Sequence, residues 1–340
     1  MASFNLFYNE WGRLRSGWRL LIFVGLYAVA LLLLGSLFQI VLSLIPGQAA
    51  QPFLDSAWGW AIQALILFIP AAVVGWLCGA VLEGLPFRAL GWALHRGWLR
   101  DLLVGSLIGA ASLVLAGAIA AVPGGFSFTL AAAAMLPAVA KTLLVSALIF
   151  ILAGAAEEVL FRGYALQTVL RSWPAWVALL PSSLAFAYVH LGNPNTVRGF
   201  TFVNTALAGV WLAVAYLRTR SLWFPLGVHW SWNWTMGAVV GLPVSGINEI
   251  TPAPLMRAVD QGPAWLTGGS YGIEGGAACT LVLLLSTLFI WRTRLVSATE
   301  EMRSLTEKEN PNPERRPQLG INEPQMGIDE PPADYVPPSP

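Results

Sequence analysis

The chain has 340 residues, of which 56% are hydrophobic and only 11% charged, too apolar and too poor in charge for an ordinary water-soluble domain. A formal net charge of +1 leaves no broad basic field for nucleic acid, so that class of partner is set aside and the placement of the arginines carries the information. The composition is that of an integral membrane protein, and sixteen tryptophans agree with it, since indole rings favour the membrane–water interface.

Residues 1–19 are polar, carry Arg13, Arg15 and Arg19, and read as a cytoplasmic segment. The apolar run at 20–45 is long enough to span a bilayer. It reads as an uncleaved signal-anchor, because its core is longer than a signal peptide's and no small-residue cleavage site is clear. Further spans are expected at 57–82, 101–122, 136–158, 173–191, 200–217, 222–242 and 272–291. The expected fold is therefore all-α, a polytopic membrane protein of about eight transmembrane helices with a buried polar site. Its segments are helices 1–3 in 20–135, a core in 136–242, and an outer loop with the eighth helix in 243–296. Between the second and third spans, residues 84–100 read as an interfacial segment anchored by Trp92 and Trp98, with His95 at the surface. Lys141 reads as snorkelling near the outer end of its helix. Cys78 and Cys279 lie in apolar runs with no ligand or CxxC spacing and read as lipid-facing or packed thiols. From about Ser297 the sequence turns charged and Pro-rich, and 297–340 is expected to be a disordered cytoplasmic tail.

Short cytoplasmic loops are enriched in Lys and Arg. The N-terminal segment, Arg88, Arg96 and Arg100, Arg162 and Arg171, Arg218 and Arg220, and Arg292 and Arg294 fall in alternate loops. The remaining loops hold Arg198 and Arg257 with Asp55, Glu249, Asp260 and Glu274. Both termini are thus expected in the cytoplasm, in a bacterial plasma membrane, and an even number of spans agrees.

Charge inside a membrane span is costly unless paired or hydrated, so ionisable groups there mark candidate sites. Glu157-Glu158-x-x-x-Arg162 follows directly on an apolar run. On a helix Glu158 and Arg162 share a face and can pair, while Glu157 is turned about 100° away and is free to act as a base. The blander reading is a helix end with both carboxylates solvated. Phe186-x-x-x-His190 puts a ring beneath an imidazole, although a lone helical histidine is more often a satisfied structural group. His229-x-x-x-Asn233 puts an imidazole and an amide on one face, suited to holding a carbonyl or a water, or simply to hydrogen bonds between helices. Only three histidines exist in the chain, and two of them follow the glutamates in later spans.

These three motifs, in this order, resemble those of the CAAX-protease and bacteriocin-processing family of intramembrane endopeptidases, which includes the Ras-converting CAAX endopeptidase. Glu157-Glu158-Val159-Leu160-Phe161-Arg162-Gly163 is similar to its EExxxR signature, Phe186 to His190 to FxxxH, and His229 to Asn233 to HxxxN. The resemblance covers roughly 136–242. It implies that Glu157 and His190 activate a water, that His229 and Asn233 hold the oxyanion, and that Glu158, Arg162 and Phe186 support the site. No cofactor is favoured. Zinc is the alternative, with Glu157, His190 and His229 as ligands and water in the fourth position, although the HExxH signature is absent. The implied partners are a peptide or protein substrate, lipid-modified or embedded in the membrane, and the lipids themselves.

Two other functions compete with the peptidase: a proton-coupled transporter using the Glu and His groups as a relay, and a non-catalytic scaffold or immunity factor on the same fold. Straight helices at about 1.5 Å per residue also set His190 at the far end of its span from the glutamates. The two meet if the fourth helix is kinked or continues past Gly163, or if the fifth span begins later. A hydrated conical cavity opening toward the cytoplasmic leaflet is expected.

Overall fold

The computed structural model describes residues 5–9, 12–196 and 199–306; Arg198 and the Pro-rich stretches expected to be disordered lie outside them. The helices are α1 (Ser16–Ser43), α2 (Gly47–Leu54), α3 (Ala57–Glu83), α4 (Trp98–Ala121), α5 (Leu136–Phe161), α6 (Tyr164–Leu170), α7 (Ala175–His190), α8 (Phe200–Thr219), α9 (Trp223–Trp234), α10 (Ala264–Thr267), α11 (Ala277–Arg292) and α12 (Glu300–Thr306).

A chain in lipid must satisfy its backbone groups internally, which makes each apolar run a helix. Six such runs are long and apolar enough to cross a membrane: α1, α3, α4, α5 with α6, α7 and α8. The last two expected spans are occupied by shorter helices, α9, extended by a π-helical turn at Thr235–Val240, and α11. The chain is thus a mostly helical, polytopic membrane protein. α1 lies at the periphery, with Leu32 and Leu33 about two-thirds exposed, as lipid-facing leucines should be.

The sequence reading did not anticipate a two-stranded antiparallel sheet, β1 (Phe126–Leu130) against β2 (Met256–Asp260), with Phe126 opposite Asp260 and Leu130 opposite Met256. It ties the loop after α4 to the loop after α9. At the other end of the bundle, Arg88 pairs with Glu301, Arg100 donates to the Leu295 carbonyl at 2.8 Å and Arg218 to that of Val296 at 3.1 Å. These contacts fold residues 295–306 back onto the bundle, and Met302 is fully buried, so the first part of the expected disordered tail is ordered.

Three further expectations are corrected at this basic end. His95 is buried rather than superficial, with Nε2 3.6 Å from Asp101. Arg19 is fully buried, 3.2 Å from Glu83, and Arg171 reaches the same carboxylate at 2.8 Å while Thr168 donates to its other oxygen at 2.7 Å. Arg162, counted among the loop charges, is buried inside the bundle. Cys78 and Cys279 are buried free thiols.

α9, which carries His229 and Asn233, packs on α4 almost backbone to backbone. A Cβ on Gly105 would overlap the carbonyl oxygen of Phe224, and one on Gly109 that of Val228, the small-residue packing common between membrane helices. Trp230 then donates to Ser106 of α4 at 2.9 Å and Trp234 to the Leu143 carbonyl of α5 at 2.9 Å, fixing the rotation of α9. Gly109→Val should destabilise the protein by about 1–3 kcal/mol, as overpacking does, read as a lower thermal unfolding midpoint in detergent.

Candidate active site

The site is built outward from the end of α5. Glu158 and Arg162 pair at 3.2 Å across one helical turn, and both are fully buried. The guanidinium also donates to the Gly209 carbonyl of α8 at 3.2 Å and lies 4.6 Å from the centroid of the Phe186 ring. Glu157, on the neighbouring face, points into a cavity of about 460 Å³, a size suited to a small ligand or a few residues of peptide.

The depth mismatch is resolved by continuation of the fourth span past Gly163 as α6. The backbone turns at Gly163, where a Cβ would overlap the Val159 carbonyl oxygen, and α6 carries the chain further toward the basic end before α7 begins. Ser182, midway along α7, donates to the Phe161 carbonyl at 3.1 Å and sets α7 beside the end of α5. His190 and Glu157 therefore meet.

Each imidazole has its Nδ1 committed. Nδ1 of His190 is 2.7 Å from the Phe186 carbonyl, and Nδ1 of His229 is 2.9 Å from Glu158 Oε1. Both partners are acceptors, so Nδ1 is assigned as protonated in each ring. Both Nε2 atoms turn toward the same oxygen, Glu157 Oε2, at 3.8 Å for His190 and 3.7 Å for His229. That oxygen accepts no hydrogen bond from a described protein group. These separations are too long for direct hydrogen bonds and short enough for one water to touch all three groups. Asn233 lines the cavity one turn beyond His229. Phe186 sits under the assembly, its ring 4.5 Å from that of His190, 6.2 Å from that of His229 and 5.2 Å from that of Phe161. All seven residues singled out from sequence are thus in one place.

The zinc set fits less well. Four ligands at about 2.0–2.1 Å in a tetrahedron stand roughly 3.3–3.4 Å apart, closer than the 3.7 and 3.8 Å separations observed, and no group of three His, Cys, Asp or Glu among the described residues is arranged to hold a metal ion.

The sequence reading missed the far wall. Glu274 lines the cavity, accepting from Trp232 Nε1 at 3.1 Å and from the backbone N–H and hydroxyl of Ser245 at 2.7 and 2.8 Å. A lone carboxylate between glycines just before an apolar run was the available signal. Tyr27 of α1 and Gln63 of α3 also contribute, from spans that carry no motif. Glu274→Ala would leave Trp232 Nε1 and two Ser245 donors without their acceptor. A loss of about 1–3 kcal/mol is expected, with faster proteolysis of the loop between α9 and α11 as the readout.

The loop residues of the cavity, Asn193, Ser245, Ile247 and Glu274, come from the end of the bundle opposite Arg88, Arg100 and Arg218.

Residues 138–235, which hold all three motifs, match the family described as type II CAAX prenyl endopeptidase Rce1-like. The chain belongs to that family. An Escherichia coli protein described as an uncharacterized 24.3 kDa protein is 35% identical over 154 residues, an alignment covering 43% of this chain and 67% of the relative. No solved structure matches. Membership in the Rce1-like family places the chain among membrane-embedded peptidases and implies a protein substrate, and the matched region runs from the start of α5 into the π-helical turn after α9, taking in α5, α7, α8 and α9, the helices that wall the glutamate and histidine site.

Proposed function

We propose that this chain hydrolyses a peptide bond within the membrane by a water that Glu157 and His190 activate, with His229 and Asn233 holding the oxyanion. The observation that carries this reading is the convergence of two imidazole Nε2 atoms on the free oxygen of Glu157. A water there donates one hydrogen to the carboxylate and the other to His190 Nε2, leaving its lone pair for the substrate carbonyl. As the O–C bond forms, Glu157 takes the proton. The carbonyl oxygen becomes an oxyanion that accepts from the Asn233 amide and from His229 Nε2, which donates while the ring carries both protons and Glu158 supplies the counter-charge. Collapse breaks the C–N bond, and the proton held by Glu157 passes to the leaving amine. Phe186 and the Arg162–Glu158 pair fix the two rings. The apolar cavity wall suits a membrane-embedded or lipid-modified peptide, and the chemistry needs no metal.

The test is cleavage of a panel of quenched fluorescent peptides by purified protein in nanodiscs, with and without a chelator. Cleavage untouched by the chelator and reduced about 10²–10³-fold in Asn233→Ala, the usual cost of an oxyanion donor, is expected. Chelator-sensitive cleavage restored by zinc would overturn the metal-free mechanism, and a folded wild type that cuts nothing would count against the peptidase itself.

A further inference from the structure

The access route to the cavity can be read independently of the chemistry inside it. Arg88, Arg96 and Arg100 join α3 to α4, Arg218 and Arg220 join α8 to α9, and Arg292, Arg294 and Arg303 follow α11. The contacts of Arg88, Arg100 and Arg218 with residues 295–301 gather these loops at one end. Among the described residues the opposite end holds only Lys141 and Arg257 as basic side chains. An imbalance of that size orients the basic end to the cytoplasm.

The cavity avoids that end. Trp60 and Gln63 lie in the first turns of α3, Asn193 just past α7, Ser245 and Ile247 in the loop after α9, and Glu274 just before α11; all six belong to the weakly charged end. On the cytoplasmic side the bundle is closed by two buried ion clusters, Arg19 and Arg171 on Glu83 and Arg162 on Glu158. Two apolar wall residues, Leu67 of α3 and Val189 of α7, are 39% and 54% exposed on the flank of the bundle, so the cavity also meets the membrane sideways between those helices.

We infer that the cavity is entered from the non-cytoplasmic half of the membrane, and that its substrate is a peptide segment presented on that side, by an exported or membrane-anchored protein. The word substrate rests on the peptidase reading; the side of entry does not.

Single cysteines placed in the full chain test this, in a Cys78→Ala, Cys279→Ala background, with a membrane-impermeant maleimide applied to intact spheroplasts. Gln63→Cys and Ile247→Cys mark the mouth from two different elements, so a folding failure of one leaves the other to report, and Arg96→Cys marks the basic end. Labelling of positions 63 and 247 in intact spheroplasts, with position 96 labelled only after permeabilisation, is expected. The reverse pattern would overturn the inference, and so would folded variants whose positions 63 and 247 stay unlabelled even after permeabilisation. Because no peptide is cleaved in this experiment, its failure would leave the chemistry standing, and an inactive enzyme would leave the labelling result standing.

Discussion

Glu157→Ala should abolish peptide cleavage while leaving the protein folded. Glu157 Oε2 takes no hydrogen bond from a described protein group, and the side chain is 28% exposed to the cavity, so its removal strands no buried partner and opens no large void. Its loss takes away the group that accepts the water's proton, and general-base removal costs about 10²–10⁴ in rate. Glu157→Gln, of nearly the same size, should lose as much, which separates proton transfer from space filling. The measurement is kcat/KM on any peptide the wild type cuts, beside a thermal unfolding curve for each variant. An unchanged midpoint with lost turnover is the expected pair of results; retained turnover in Glu157→Gln would remove Glu157 from the role of base.

Arg162→Ala should cost both stability and activity. The guanidinium is the cationic partner of Glu158, whose side chain is fully buried and whose Oε1 also receives His229 Nδ1. Deleting one member of a buried ion pair leaves an uncompensated charge, at about 3–5 kcal/mol. The same deletion removes the cation over the Phe186 ring and the donor to the Gly209 carbonyl, so the platform beneath both histidines loosens. Arg162→Lys keeps the charge but not the fork that reaches α5 and α8 together, and should recover part of the stability and little of the activity. Unfolding midpoints and kcat on the three proteins separate these effects. Arg162→Ala as stable as the wild type would mean that Glu158 is protonated and the pair dispensable.

The legible parts of this protein were those written in local spacing. Apolar run length gives the existence of each crossing helix, and an i,i+4 interval gives the Glu158–Arg162 pair without knowledge of any neighbour. What the spacing does not carry is which face of a helix meets which partner. A helix in lipid is apolar all round and has no polar stripe to mark its outside, so the burial of Arg19 against Glu83 and Arg171, or of His95 against Asp101, left no trace in the pattern. Gly105-x-x-x-Gly109 is a small-residue stripe of the kind that marks close helix contact, a signal the sequence reading did not use, and in the structure it lies on the face of α4 that receives α9. The partners of Glu274 and the β1–β2 pairing depend on long-range closure between loops, for which a single sequence holds no record.

The Arg19–Glu83–Arg171 cluster also says something about the order in which the protein is made. As the chain leaves the ribosome, α1 and α3 enter the membrane long before residue 171 is synthesised. Glu83 thus has a cationic partner, Arg19, encoded ahead of it in the first two long helices, and the carboxylate that this pair presents is the one Arg171 joins from the family-matched region.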